Sequence, residues 1–412
     1  MNDFISMPRR RKTSDHADAP NTHTTPATFQ PPQTVAEAEE RQADTPRYMP
    51  ASNFGSKPPK THWWRHPIQW FKRLNKRQKI IFCVIVVLLI GSAVAAFLVL
   101  NKPEPVVQKK TVKTAKKVEV KPTTVASKLT GLQVDPSVNE RPVTAVMIEN
   151  SLDARPQSGI DQAGVVFEAV AEGGITRFLN LFQDTAPEYI GPVRSVRTYY
   201  VQWLMGFDAS VAHVGGSADA LANVKSWGTK DLDQFANGSY YHRISSRFAP
   251  HNVYTSMAEL NAIEAKKGYG TSKYTGFERK AAQPAATATV KTIDLAISSA
   301  VFNAHFDYDA PTNSYKRSEG GKPHMVVDKA GNQTQIAPKV VAVMVSPQGK
   351  EALGSGQLFV FQDGTLTQGT WQKTDKSSQI KFTDTGGKTL KLNPGQTWVT
   401  ALGGANLVTY AP

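Results

Sequence analysis

Glu149, Arg155, Arg177, Arg194, Arg197, His251 and Asn252 are the residues of this 412-residue chain whose types and placing could do chemistry. Glu149 and His251 are the candidates for acid–base work. The arginines come from separate segments, RPQSG (155–159), EGGITRF (172–178) and GPVRSVR (191–197). A guanidinium offers a planar fork of donors that matches a carboxylate or a phosphate. Arg155 and His251 each adjoin a proline, and Arg194 follows one by two residues, so the loops that carry them are stiffened. The expectation is that at least three of Arg155, Arg177, Arg194, Arg197 and His251 converge on one cleft with Glu149 and Gly215–Gly216, and bind an anionic group there. The plain alternative is a set of arginines solvated on different faces.

Two further patterns bear on that cleft. Val165–Glu172 and Ile175–Gln183 are apolar runs joined by Gly173–Gly174, which reads as a β-hairpin with a two-residue turn. In that register Glu172 faces Ile175, and Glu168, Glu172 and Arg177 share one face as a structural charge cluster. The two glutamates stand roughly 13 Å apart along the strand, too far for a glycosidase carboxylate pair. HVGGS (213–217) ends a strand in glycines before a helix, where Gly215 and Gly216 could offer backbone N–H groups to an anion. Its spacing matches neither a P-loop nor a dinucleotide fingerprint. His213 reads either as an acid–base group or as a half-buried strand residue. His242, His251 and His324 lack the spacing of metal ligands, no G-x-S-x-G elbow is present, and no cofactor is implied.

The elements that must position these residues follow from patterning. Ile80–Leu100 is a charge-free apolar run between Lys79 and Lys102, long enough to cross a bilayer. A cleaved leader would end sooner and start nearer the N-terminus. The single cysteine, Cys83, lies too early in the run for a lipoprotein signal. Residues 1–60 are polar and Pro-rich, and are expected to be disordered. Residues 61–79 mix Trp63, Trp64, Trp70 and Phe71 with basic residues, as suits a headgroup layer. Residues 101–129 read as a stalk. Residues 130–279 read as an α/β lobe, with a helix after Gly191–Pro192, one N-capped by Ser217 and one opened by the capping box Ser256–Glu259. Residues 280–288 connect it to a β-rich lobe at 289–412. The fold class expected is therefore α+β, one transmembrane helix followed by a mixed α/β lobe and a β-rich C-terminal lobe.

Charge is unevenly divided. Residues 130–412 hold 26 Lys+Arg against 25 Asp+Glu, while residues 1–129 hold 22 against 9. The excess belongs to the tail and the membrane flank, which argues against nucleic acid as partner of the outer region. Six basic residues (65–79) precede the apolar run and four (102–113) follow it, which orients the N-terminus to the cytoplasm.

The runs RPQSG, EGGITRF, GPVRSVR, HVGGS and APHNVYTS (249–256), with GKPH (321–324) and LNPGQTWV (392–399), resemble the YerB-like family of bacterial envelope proteins. The resemblance covers about residues 141–401 and implies a bacterial, extracytoplasmic, two-part domain, without catalytic residues to carry over. Two departures stand out. Many members look like lipoproteins, whereas this chain has an anchor, and the family's usual MIDN reads Met147-Ile148-Glu149-Asn150 here. Two functional readings remain. One is an envelope module, held by residues 80–100, that binds an anionic ligand, a wall polymer or a protein partner through Arg155, Arg177, Arg194, Arg197, Gly215, Gly216, His251 and Asn252. The other is a hydrolase-type enzyme acting on wall glycan or peptide through Glu149 or His251.

Overall fold

The structure, a computed structural model, describes residues 74–100 and 123–412. The expected tail, all but the end of the interfacial segment and most of the stalk lie outside the described residues. Those described fall into two compact units, one within Met1–Lys110 and one within Thr111–Pro412.

Among its described residues the first unit holds α1 (Lys76–Leu100), a helix long and apolar enough to cross a membrane, with none of Lys76–Phe97 buried in protein. It begins four residues before the apolar run because Asn75 and Gln78 cap it reciprocally. The Asn75 Oδ1 accepts from the Gln78 N–H at 2.9 Å, and Gln78 Oε1 accepts from the Asn75 N–H at 3.1 Å.

The second unit is built on two sheets. Its first half supplies β1 (Thr144–Glu149), β2 (Val165–Val170), β3 (Thr176–Phe182), β4 (Ser210–Ala212) and β5 (Lys230–Asp231). The same half carries α2 (Thr198–Met205), α3 (Ala218–Ser226) and α4 (Met257–Lys267). Its second half supplies β6 (Thr292–Leu295), β7 (Ala304–Asp309), β8 (Ser314–Glu319), β9 (Lys322–Pro323) and β10 (Val340–Val345). After them come β11 (Gly354–Gln362), β12 (Thr365–Lys373), β13 (Lys381–Asp384), β14 (Thr397–Leu402) and β15 (Val408–Ala411).

Ten of these strands form one mixed sheet in the order β13-β12-β11-β10-β14-β2-β3-β1-β4-β5, and five form a second in the order β9-β8-β7-β6-β15. β1, β3 and β14 are buried along their whole length, as apolar runs covered on both faces must be. Ala145, Met147, Leu179 and Leu181 share a core on one face with Val201 and Leu204 of α2 and Val224 of α3. Val146, Ile148 and Phe178 share a core on the other face with Leu260 and Ile263 of α4 and with Ile293 and Phe306 of the second sheet.

Two expectations change here. Residues 289–412 are β-rich, as read, but they do not stand apart as a lobe. β14 pairs in parallel with both β10 and β2, so the two halves share the large sheet. The hairpin forms with its glycine turn, Gly173 and Gly174 both at positive φ, but its register slips by one residue. Ala169, not Val170, faces Arg177. The cause is a bulge: the Ala171 N–H donates to Ile175 O at 2.8 Å while Ile175 N–H donates to Glu172 O at 3.0 Å, so two residues oppose one. A slip of one exchanges the faces. Glu168 and Arg177 therefore lie on opposite sides of the sheet, and the expected three-residue cluster does not form.

Candidate functional site

Glu149 closes β1, where three loops meet. Its N–H donates to Pro192 O at 3.0 Å, and the Arg194 N–H donates to Met147 O at 2.9 Å, which lays the GPVRSVR segment across the strand end. His251 comes from the loop between His242–Arg243 and Val253–Tyr254, which pair with each other. That loop is held by Asn252, whose Oδ1 accepts from Arg243 at 2.7 Å and whose Nδ2 donates to Ile244 O and Arg247 O. Arg247 fastens it to the next loop through Asp153 O and Pro156 O. Asn252 thus has its polar atoms occupied within its own loop.

The side chains converge on one carboxylate oxygen. Glu149 Oε1 accepts from Ser151 Oγ at 3.0 Å and from His251 Nδ1 at 2.9 Å, and Arg194 Nε lies 3.4 Å away. Glu149 is buried, and its Oε2 has no hydrogen-bond partner among the described residues; the same holds for Arg194 Nε. A carboxylate only accepts, so Nδ1 is the ring nitrogen that donates to Glu149, while Nε2 lies 3.9 Å from Asp153 Oδ2. Ser151 Oγ also meets Nδ1, at 3.1 Å. Serine and carboxylate therefore share one ring nitrogen, whereas a serine–histidine–acid relay needs them on opposite nitrogens.

A second cluster adjoins the first. Arg177 is the register partner of Glu149 across β1 and β3. Its Nη2 donates to Glu172 Oε1 at 2.8 Å and its Nη1 to Ser195 O at 2.8 Å. Arg197 reaches the other oxygen of Glu172. Burial opposes the Glu172 charge, but the two guanidinium groups hold its carboxyl below the usual range. The structure so gathers Arg194 and His251 on Glu149, and Arg177 and Arg197 on Glu172, with residues 192–197 running between them. Arg155 turns elsewhere, toward Glu319.

The glycine segment does not present an anion cradle. The Gly215 N–H donates to Asp233 Oδ1 at 3.0 Å, the Val214 N–H to Arg194 O and the Ser217 N–H to Val196 O. Gly216 is needed for packing, because a Cβ there would lie 2.9 Å from Val196 Cγ1. His213 is fully buried between Gly215 O and Asp231.

Comparison with known proteins places this architecture. Residues 129–270 match the N-terminal domain, and residues 293–399 the C-terminal domain, of the protein family of unknown function DUF3048. The chain belongs to the DUF3048, YerB-like family. It is 31% identical over 283 residues to YerB of Bacillus subtilis, named as a candidate lipoprotein, covering 66% of this chain and 84% of YerB. The crystal structure of Bacillus subtilis YerB superimposes with a TM-score of 0.62 at 28% identity, covering 70% of this chain and the whole of the crystallised chain. The α+β architecture is therefore that of a solved relative.

Between the two DUF3048 segments lies a buried polar network that motif reading missed. Glu168 pairs with Arg317 at 2.8 Å and accepts from Trp398 Nε1 at 2.9 Å. The Arg317 guanidinium lies 4.8 Å from the Trp398 ring centroid and bonds His324 Nδ1. His324 Nε2 then meets Gln157 Oε1 at 3.0 Å, and Asn150 donates to Glu319 at 2.6 Å. Burial, then Arg317 and Arg155, hold the His324 imidazole well below its usual range, so it is neutral. Burial opposes the Arg317 charge, but Glu168 and Glu319 more than offset it. One signal was available: Tyr315, Arg317 and Glu319 alternate in SYKRSE, which puts two charges on the face of a buried tyrosine.

Proposed function

We propose that this chain is a membrane-anchored, extracytoplasmic envelope module that binds an anionic, hydroxyl- or amide-bearing wall polymer along the Glu149–Arg194–Arg197 edge. One observation carries the reading. Arg177, Arg194, Arg197 and His251, from three segments, gather beside the buried Glu149, whose Oε2 has no donor among the described residues. Such a site takes negative charge against its guanidinium groups and a hydroxyl or amide donor against Glu149. The test is binding of purified wall polymer to the full-length protein in nanodiscs. Arg194→Gln is expected to weaken it by about tenfold, roughly 1.4 kcal/mol; an unchanged affinity would sink the reading.

The hydrolase reading has its own support. Glu149 orients the half-buried His251 ring through Nδ1 at 2.9 Å, which sets Nε2, 3.9 Å from Asp153 Oδ2, as the nitrogen placed to exchange a proton with water. Release of new reducing ends or amines from wall material, lost in His251→Ala, would favour this second reading over plain binding.

Anchoring rests on α1 and on the basic residues before it. The proposed topology puts residues beyond 101 outside and the N-terminus in the cytoplasm. Protease added to wall-stripped cells should remove the outer unit and spare a tag at Met1; loss of that tag would reverse the orientation.

A further inference from the structure

Two motifs left unused by the Glu149 edge meet at a separate cleft. Arg155 and Pro156 of RPQSG come from the first half of the second unit, and Lys322 and His324 of GKPH from its second half. With Glu319 and Met325 they line a cavity of about 450 Å³. Its floor is a built polar surface. Glu319 is buried, and its Oε1 accepts from Asn150 Nδ2 at 2.6 Å. Its Oε2 has no hydrogen-bond partner among the described residues. Arg155 ion-pairs with that oxygen at 3.2 Å but aims its hydrogen bonds at Asn150 and at Val301 O. A buried carboxylate oxygen left without a donor costs free energy that a ligand N–H can recover. On the rim, Lys322 is exposed and makes no ion pair among the described residues.

Charge balance narrows the ligand. The buried Glu168, Glu319 and Arg317 and the half-buried Arg155 sum to zero, with His324 neutral by its hydrogen bonds. A bare anion would meet the Glu319 charge, and a bare cation would meet Arg155 and Lys322. A ligand that carries both signs adds no net charge to a low-dielectric site. We propose that this cleft binds a free amino acid or the end of a short peptide. Glu319 receives the ammonium, Lys322 and Arg155 face the carboxylate, and Pro156 and Met325 pack against a small side chain.

The test uses the full-length protein in nanodiscs, labelled with ¹³C-methyl methionine and titrated with dialanine. The Met325 methyl is expected to shift saturably at millimolar dialanine. N-acetyl-dialanine, which lacks the ammonium, and dialanine amide, which lacks the carboxylate, should each bind about tenfold more weakly. Lys322 is exposed, so Lys322→Gln will fold; it should weaken dialanine but not its amide, and Lys322→Arg should restore binding. Arg194→Gln should leave this titration unchanged, which separates failure here from failure of the wall-polymer edge. Equal binding of the acetylated form, or no movement of the Met325 methyl, would overturn the proposal.

Discussion

Lys373, the last residue of β12, shows what burial does to a single charge. It is fully enclosed, and its Nζ donates to Lys376 O at 3.1 Å and to Ser378 O. Burial drives its ammonium down from 10.5 to about 8, with Asp375 only partly offsetting this. Between about pH 8 and 10.5 the unfolded chain therefore binds more protons than the folded one. Stability from this residue is lowest below about pH 8 and rises across that window. Lys373→Met should remove that rise, whatever it does to absolute stability. Urea denaturation from pH 7.5 to 10.5 measures it, and parallel profiles for the two proteins would show that Lys373 does not titrate there. Nothing in the sequence marked this lysine, since a terminal strand residue before Thr374-Asp375 reads as surface. Glu149 and His251 could be named from residue type alone, and the structure sets their side chains 2.9 Å apart, a proximity that a hundred residues of intervening chain do not encode. Arg155 carried the same signal and went to another cleft, because a proline fixes where a loop starts and not where its side chain ends.

At the scale of elements, local chemistry was readable and pairing was not. Ser256 caps α4 as read, its Oγ accepting from the Glu259 N–H at 3.2 Å and donating to Glu259 Oε2 at 3.0 Å, and Gly268 closes the helix in the left-handed region. Both features are fixed by residues within one turn. The β2–β3 turn is equally local, since Gly173 and Gly174 sit at φ +60° and +77°. The bulge at Ala171 has no signature of its own, because alanine suits a regular strand as well, so the faces came out exchanged. The hairpin carries Glu172 at its tip and thereby sets the Arg177–Arg197 clamp. No atom lies within 4 Å of a Cβ added to Gly173, so Gly173→Ala should cost only the backbone term, about 1–2 kcal/mol. Gly173→Asn should cost less, because asparagine tolerates this region. Thermal unfolding measures both. A cost for asparagine equal to or above that for alanine would mean that the turn is not held in the left-handed region.

At the scale of the whole second unit, the largest departure from the sequence reading is that two expected lobes share one sheet. The composition change near residue 289 is real, and it coincides with the gap between the two DUF3048 segments. Composition records what a segment is made of, though, and not which edge it joins. β14 pairs with β2 across more than two hundred residues of sequence, and no local pattern encodes such a partner. Its placement is energetically binding on both halves. Without β14 the β2 edge would expose a row of unpaired backbone groups. Glu168 would lose Arg317, Trp398 and Thr400, all from the second half, and a buried charge stripped of its partner costs roughly 3–5 kcal/mol. That is a large part of the stability of an ordinary domain. Residues 123–288 and 289–412 should therefore each fail to fold when expressed alone, and should recover a folded complex when expressed together. The intact unit should unfold in a single calorimetric transition, its van't Hoff and calorimetric enthalpies equal. A cooperative transition in either half by itself would show that the shared sheet is a docking surface between two stable domains.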